Sequence, residues 1–365
     1  MSRYFKMYEA TARALKAVSP RLRVGGPATS EDMINVSATT PAFGTSWVGN
    51  FTQYCKANKV PYDFVSNHNY AGCGEPGTIG NVSNLLKAQR RARAVIGPAT
   101  PFVITEFGAA CTQGAGVTAA MAAKAQAGGP KAPPGVGIDG YPGVGSIDGF
   151  TNGGWWHDVE HQAAFVVAAA DALAAGHYES LSYWAFSDVF EESFWPVTNV
   201  SFHGMFGLVN LQGVPKPTYR AYQLLHETGD TRFETTASGG GVACGHVGAL
   251  AIGDDSDPLL KRLDVIVYNH VTEGQAGAAP SCVVELSIPT AATAATLRRI
   301  DATNANAYTE WVEMGMPQDL LPPAQVARLK AASELKVLAA PLGGGGKTVT
   351  LEVPLHGLAA VRFAF

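Results

Sequence analysis

Strand and helix patterns alternate four times along the first 230 residues of this chain. Apolar residues at helical spacing, such as Tyr4, Tyr8 and Ala12, are followed by short apolar runs such as YDFVSNHNY and PFVITEF. Alternation of this kind predicts parallel strands joined by helical crossovers. We therefore predict an α/β fold in which residues 1–230 supply four strand-helix units of a (β/α)8 TIM barrel, about half of the closed form.

The limits of the first and last of these strands are set by different signals. The run LRVGGP predicts a strand that ends in a Gly-Gly-Pro turn, because glycine and proline together mark turns. The run ESLSYWAFSDVF follows a predicted helix and is rich in aromatic residues, and we interpret it as one strand. Both limits are predictions that a structure can test.

The pattern changes from residue 231 to the end of the chain. Short runs of alternating character, GALAIG, LDVIVYNH, CVVELSIP, TLRRIDAT, TVTLEV and AAVRFAF, predict an all-β sandwich domain over residues 231–365. A helix or two is expected between Leu320 and Leu338. Residues 111–155 are rich in Gly, Ala and Pro and predict a loop insert without a core, either disordered or a lid over the active-site face.

Charge and composition exclude several classes of partner. The net charge of -4 and a pI near 6.1 give no basic surface for nucleic acid or an anionic membrane. The longest apolar stretch, residues 163–175, is too short to span a bilayer and is interrupted by Asp171. The N-terminal segment MSRYFKMYEA lacks an apolar signal core, so we expect a cytoplasmic protein if Met1 is the true start. The oligomeric state cannot be read from the sequence.

The cysteines are scattered singly along the chain. Their number is odd and no CxxC pair occurs, which argues against a disulfide framework or a cysteine zinc site. We therefore expect free thiols at Cys55, Cys73, Cys111, Cys244 and Cys282.

A single carboxylate ends the apolar run PFVITEF. The run is too continuous for a half-exposed strand and is typical of a parallel strand buried on both faces, so the charge of Glu106 at its C-terminal end needs a reason. Active sites of α/β barrels lie at the carboxyl ends of the strands, which favours a catalytic role. The alternative is an edge glutamate paired with an arginine.

Other polar and aromatic residues collect where the predicted strands end. These are His68, Tyr70, Trp184, Glu191 and Glu192. Carboxylates that accept from hydroxyls and an aromatic face for the apolar side of a pyranose are what sugar binding requires. Taken singly, His68 is equally well explained as a satisfied core histidine and Trp184 as packing.

The segment His157 to His161 fits the pattern H-x-x-E-H. In zinc peptidases such a pattern supplies two histidine ligands one helical turn apart and a glutamate base. The alternative is an ordinary helix start, in which Asp158 caps the helix and Glu160 complements its dipole. No obvious third ligand motif follows in the sequence, and we expect no metal site and no cofactor.

Several long stretches resemble the family 39 glycoside hydrolases, and within them the β-xylosidases more closely than the α-L-iduronidases. The stretches are RYFKMYEATARALKAVSPRLRVGGPAT, VPYDFVSNHNY, PFVITEF, SYWAFSDVFEE, FHGMFGLVNLQGVPKPTYRAYQLL and IDATNANAYTEWVEMGMP. The likeness covers nearly the whole chain except the insert.

The resemblance implies a TIM barrel followed by a β-sandwich, and a retaining mechanism that acts on xylosides or xylo-oligosaccharides without a cofactor. It implies that Glu106 is the nucleophile, with His68 as the candidate neighbour that orients it. By the same resemblance, the first sugar subsite is lined by His68, Tyr70, Trp184, Glu191 and Glu192.

Departures from the family pattern concern the second catalytic group. The family's general acid/base is the glutamate of an Asn-Glu-Pro motif upstream of the helix that begins here near Tyr4, and this sequence contains no Asn-Glu-Pro. The family's first four strands have no counterpart either, so we expect the C-terminal half of a barrel and an impaired enzyme. Glu160, Glu191 or Glu192 as a substitute acid, and a carbohydrate-binding fragment without turnover, are the alternatives.

Overall fold

A computed structural model gives the fold of this chain. It describes residues 2–29, 47–72, 79–110, 155–174, 178–189, 200–202, 204–239, 244–254, 262–272, 281–317 and 319–365. The described residues fall into two compact units. The first is drawn from Met1–Cys73, Asn81–Cys111 and Ala172–Trp184, and the second from Gly74–Gly80, Thr112–Asp171 and Ala185–Phe365. The predicted domain boundary between residues 230 and 231 stays a prediction.

The first unit contains a parallel sheet of four strands. The strands are β1 (Gly25–Thr29), β2 (Phe64–Gly72), β3 (Phe102–Ala110) and β4 (Tyr178–Tyr183), and they lie side by side in sequence order. The helices of this part of the chain are α1 (Ser2–Val18), α2 (Trp47–Ala57) and α3 (Val82–Ile96). The predicted order of strands and helical crossovers is therefore observed in the described residues.

Apolar faces of the helices pack on this sheet. Val48 of α2 and Ala92 of α3 join Val65 of β2 and Phe102 of β3 in one buried cluster. Asn81 caps the N-terminus of α3, because its side-chain oxygen accepts a hydrogen bond from the Ser83 backbone N–H. Packing of this kind fixes the backbones of β2 and β3, on which the candidate site is built.

The first strand lies later in the sequence than predicted. Gly25, Gly26 and Pro27 are part of β1 and pair with Phe64, Val65 and Ser66, so they do not form a turn. A Cβ atom at Gly25 would lie 2.4 Å from the carbonyl oxygen of Phe64. The glycine is thus needed for the close approach of two strands, and the turn interpretation was wrong for this reason.

The fourth strand is shorter than predicted. β4 ends at Tyr183, and the Trp184 backbone N–H still donates to the carbonyl of Phe107 over 3.1 Å. From Ala185 onward the backbone pairs with residues 206–209 instead, beginning with the bond from Ala185 N to Phe206 O. The run predicted as one strand therefore pairs with β3 up to Trp184 and with residues 206–209 beyond it.

The second unit contains antiparallel sheets. Strands β5 (Thr231–Phe233), β6 (Val247–Gly253), β7 (Arg262–Asn269), β9 (Ala294–Ile300), β10 (Leu338–Ala339) and β12 (Leu358–Ala364) form a six-stranded sheet in the order β10-β9-β12-β7-β6-β5. Strands β8 (Cys282–Ser287) and β11 (Thr348–Val353) form a separate pair. The remaining helices in chain order are α4 (Glu160–Ala174), α5 (Pro217–His226), α6 (Ala307–Glu313) and α7 (Pro323–Ala332).

One apolar core joins both antiparallel sheets. Val265 and Val361 of the larger sheet share a buried cluster with Val349, Leu351 and Val353 of the smaller pair. On β11 buried and exposed residues alternate, as a strand with one face in a core requires. No helix among the described residues has both the length and the apolar character needed to cross a membrane.

A disulfide corrects the prediction of free thiols. Cys244 and Cys282 are bonded across a sequence separation of 38 residues, and Cys55 is a free, buried thiol whose pKa is raised to about 11 by burial. Spacing along the sequence carried no sign of this pairing, because the two cysteines meet only through the sheet topology of the second unit. Cys73 and Cys111 lie outside the described residues.

A buried ion network lies in the second unit. The Nζ atom of Lys216 is 2.6 Å from Asp158 Oδ1 and 2.8 Å from Asp188 Oδ2, and all three side chains are fully buried. Lys216 also donates to the carbonyl of Met205 over 2.8 Å. Burial opposes its charge, yet the two carboxylates raise the pKa of Lys216. The network ties the segment before α4 to the start of α5.

Candidate active site

Glu106 lies in β3 directly opposite His68 of β2. Upstream of this pair, Asn67 is aligned with Ile104, so Thr105 is an extra residue in β3. The pairing with β4 shifts at the same place, between Ile104 and Phe107. Thr105 is therefore a β-bulge relative to both neighbouring strands.

The bulge decides which way Glu106 points. Successive side chains of a strand alternate between faces, so Glu106 would share the face of Ile104 in a regular strand. The Ile104 side chain is fully buried, whereas Glu106 keeps 21% of its side-chain surface exposed. One inserted residue thus separates a core position from an accessible carboxylate.

Two side chains of β2 hold the Glu106 carboxylate. The Tyr70 hydroxyl donates a hydrogen bond to Oε1, and His68 Nδ1 lies 3.1 Å from Oε2. His68 and Tyr70 are two residues apart in the strand and so share one face. Each carboxylate oxygen therefore has its own donor, which fixes the plane of the group.

The side chains of Tyr70, His68 and Glu106 differ in how far they are buried. Tyr70 is buried, with 7% of its surface exposed, while the His68 side chain keeps 26%. The carboxylate is thus held by one buried donor and one partly exposed imidazole, and it is itself partly exposed. A group held in this way can attack an electrophilic carbon or accept a proton or hydroxyl from a bound ligand.

Trp184 follows β4 and is next to β3. Its backbone hydrogen bond to Phe107 places it beside the residue that follows Glu106, and its side chain is half-buried. The structure thus brings Glu106, His68 and Tyr70 into contact and brings the backbone of Trp184 alongside. Glu191, Glu192 and nearly all of the predicted insert over 111–155 lie outside the described residues.

The H-x-x-E-H segment does not form the ligand set of the zinc-peptidase alternative. His157 ends a short 3-10 turn (Trp155–His157) and its ring contacts Phe206 at 4.7 Å between centroids. Glu160 begins α4 and its carboxylate accepts a hydrogen bond from Asn306 over 2.7 Å. Burial lowers the pKa of His157 to about 3 and raises the pKa of Glu160 to about 7. Asp158 serves the ion network with Lys216.

His161 belongs instead to a group of three buried imidazoles with His270 and His356. The side-chain nitrogen atoms that they offer all lie within 4.8 Å of one another. Burial lowers the pKa of His270 to about 4 and holds the pKa values of His161 and His356 well below the ordinary value. Sequence spacing did not predict this group, since His270 ends a strand run and His356 is a lone histidine near the C-terminus.

Known sequences place this chain among carbohydrate-active proteins. A profile of glycosyl hydrolases family 39 matches residues 1–112 and 147–346. A β-xylosidase of Caldicellulosiruptor saccharolyticus is 28% identical over 344 residues, which are 92% of this chain and 58% of that protein. A β-xylosidase of Geobacillus stearothermophilus is 28% identical over 337 residues, 86% of this chain and 52% of that protein. The chain therefore spans little more than half the length of these relatives.

Solved structures share the fold of this chain. The family 39 β-xylosidase of Caulobacter crescentus superposes with a TM-score of 0.68 at 23% identity, over 100% of this chain and 62% of that one. The family 39 enzyme of Xanthomonas axonopodis pv. citri gives a TM-score of 0.65 at 22% identity, over 99% of this chain and 64% of that one. At these identities the similarity concerns the fold.

Proposed function

The chain belongs to glycosyl hydrolases family 39, and we propose that it supplies the nucleophile side of a retaining glycosidase site, with Glu106 as the nucleophile. The observation that carries this proposal is the contact set of Glu106. A bulge turns this carboxylate away from the core face of β3, and Tyr70 and His68 of the neighbouring strand hold its two oxygens, as a preorganised catalytic group requires.

The chemistry follows from this geometry. One oxygen of Glu106 attacks the anomeric carbon, the glycosidic bond breaks, and a covalent glycosyl-enzyme ester forms that water then hydrolyses. Tyr70 and His68 keep the attacking oxygen in one orientation, so little freedom is lost in the transition state. In this proposal Tyr70 and His68 also bind the sugar in the first subsite, together with Trp184, Glu191 and Glu192.

We propose β-xylosides and xylo-oligosaccharides as substrates. The two relatives named above are β-xylosidases by name, and both match along most of this chain. The half-buried Trp184, whose backbone is bonded to the residue after Glu106, is proposed to cover the apolar face of a pyranose, with the sugar hydroxyls toward His68 and Tyr70.

This proposal assigns no general acid/base among the 365 residues. No Asn-Glu-Pro occurs in the sequence. Loss of a general acid or base commonly lowers a rate by about a hundred- to ten-thousand-fold. Glycosidic bonds with poor leaving groups suffer most, because their leaving oxygen must be protonated. We therefore expect very slow hydrolysis of unactivated xylosides by this chain.

A covalent label tests the nucleophile without needing the acid. The 365-residue chain is incubated with 2,4-dinitrophenyl 2-deoxy-2-fluoro-β-D-xyloside, whose dinitrophenolate leaves unprotonated and whose fluorine slows hydrolysis of the ester. We expect intact-mass spectrometry to show one added fluoroxylosyl group, and peptide mapping to place it on Glu106.

Glu106→Gln and Glu179→Gln form the matched pair of variants. Glu179 also lies on a strand of the parallel sheet, where it is paired with Arg23. We expect Glu106→Gln to abolish the label and Glu179→Gln to retain it. A label on another carboxylate would contradict the assignment of Glu106. Stabilisation of the chain by xylose without any label would favour the carbohydrate-binding alternative.

A further inference from the structure

Three imidazoles from separate parts of the second unit converge in its interior. His161 is in the first turn of α4, His270 directly follows β7, and His356 lies in the turn between β11 and β12. The exposed fractions of these residues are 0%, 8% and 0%. Their ring centroids are 4.5 Å apart for His161 and His356, 5.1 Å for His161 and His270, and 5.6 Å for His270 and His356.

We propose that His161, His270 and His356 form a site for a divalent transition metal of the zinc type. Three neutral imidazole nitrogens are a ligand set of intermediate softness that suits Zn²⁺, and also Co²⁺ and Ni²⁺. The described residues offer no carboxylate within this group, which disfavours Ca²⁺ and Mg²⁺ because these ions require oxygen ligands.

The orientation of His270 is the one that a metal ligand needs. Its Nε2 lies 2.8 Å from the carbonyl oxygen of Gly80 and so carries the proton, which leaves the lone pair on Nδ1. Nδ1 is buried, and no hydrogen-bond partner for it is found among the residues that the structure describes. A histidine ligand typically donates its other ring N–H to a backbone carbonyl, which fixes the tautomer and the ring.

Gly80 packs tightly over two of the three rings. A Cβ atom at this position would lie 2.9 Å from His161 Cε1 and 3.0 Å from His270 Cε1. Its φ of +75° also favours glycine. The glycine therefore lets the backbone approach the imidazoles closely enough for its carbonyl to hold His270.

His356 occupies a left-handed backbone conformation in the turn between β11 and β12. Its φ of 56° lies in the left-handed region, where glycine or asparagine is the easier choice. The histidine keeps a fully buried side chain there, against His161 and with Trp156 at 6.0 Å between centroids.

The spacing of the nitrogens fits a metal after small movements. Tetrahedral coordination with bonds of about 2.1 Å places neighbouring ligand nitrogens about 3.4 Å apart. The present separations reach up to 4.8 Å. The proposal therefore requires the imidazoles to rotate about χ1 and χ2 when the metal binds.

Metal analysis of the tag-free 365-residue chain tests the proposal. The protein is dialysed against Zn²⁺, then against buffer without metal, and analysed by inductively coupled plasma mass spectrometry. We expect one zinc per chain, and visible absorption bands typical of tetrahedral Co²⁺ when cobalt replaces zinc. The result that overturns the proposal is less than about a tenth of an equivalent of metal in folded wild-type protein.

Two variants and one control assign the site. His356→Asn keeps a residue that tolerates the left-handed conformation, and His270→Gln keeps a polar side chain of similar size. Each is expected to weaken zinc binding by at least about tenfold. His157→Gln is the control, since His157 is equally buried but lies outside the group. Unchanged zinc binding in both ligand variants, or its loss in His157→Gln, would refute the assignment.

Discussion

Removing the cation of the buried ion network is expected to destabilise the protein strongly. The carboxylates of Asp158 and Asp188 lie within 2.8 Å of Lys216 Nζ, and all three side chains are fully buried. In Lys216→Met both carboxylates lose their counter-ion. Each retains one backbone donor, Gly204 N for Asp158 at 2.6 Å and Gly207 N for Asp188 at 2.8 Å. Removal of one partner from a buried ion pair lowers the free energy of unfolding by about 3–5 kcal/mol.

The free energy of unfolding that is lost in Lys216→Met should depend on pH, because the carboxylates of the network can be protonated. Burial raises the pKa of Asp188 to about 7, against the attraction of Lys216. A carboxyl whose pKa is raised in the folded state contributes stability below its unfolded pKa of 3.8, and that contribution is lost as the pH rises toward 7. Without Lys216 the pKa rises further. The deficit of Lys216→Met is therefore expected to be smaller at pH 5 than at pH 8.

Equilibrium urea unfolding, followed by tryptophan fluorescence at both pH values, measures this effect. Arg328→Met is the matched control, because it removes an exposed ion pair with Glu310 and should change the stability by less than about 0.5 kcal/mol. Adding Asp158→Asn and Asp188→Asn to Lys216→Met should recover part of the loss, since no unpaired charge then remains. A deficit below about 1 kcal/mol that does not vary with pH would refute the reasoning.

Three further predictions concern the site and the frame around it. Tyr70→Phe removes one donor from Glu106 and should slow labelling of Glu106 by about 10- to 100-fold with unchanged thermal stability, and an unchanged labelling rate would contradict the role of the hydroxyl. Cys244→Ser with Cys282→Ser opens a loop of 38 residues and should lower the free energy of unfolding by about 4 kcal/mol, while a reductant should destabilise the wild type but not the double variant. Gly25→Ala forces a Cβ against the Phe64 carbonyl and should lower the free energy of unfolding by more than about 2 kcal/mol in urea unfolding. Gly97→Ala, whose Cβ meets no atom within 4 Å, should lower it by about 1 kcal/mol. Equal losses in the two variants would contradict the packing argument.

Local periodicity predicted the elements but not the irregular positions. The runs around Phe64 and Phe102 are apolar because both strands are buried in the sheet, so their existence and parallel order follow from the sequence. The strand role of Gly25 does not follow, because it depends on how closely Phe64 approaches across the sheet. The division of the run after Tyr183 depends likewise on pairing with residues 206–209, which are distant in sequence.

The sequence predicted that Glu106, His68 and Tyr70 lie at neighbouring strand ends, but it did not predict the geometry of their contacts. A lone carboxylate at the end of a buried strand indicated Glu106, and strand register then explains why His68 and Tyr70 meet it. The bulge at Thr105 had no signal, since threonine is an ordinary strand residue. The pairing of Cys244 with Cys282 and the meeting of His161 with His270 and His356 arise only from tertiary topology, so isolated residues in the sequence could not show them.

Because of the bulge, the exposure of Glu106 depends on the number of residues that separate it from Phe102. Upstream of Thr105, residues 102 and 104 face the core, and beyond it the assignment of faces is reversed. A single-residue deletion in β3 would therefore hide the carboxylate even if every chemical group of the site were kept. For anyone who aligns or redesigns this strand, the length between Phe102 and Glu106 carries as much information as the identity of the glutamate.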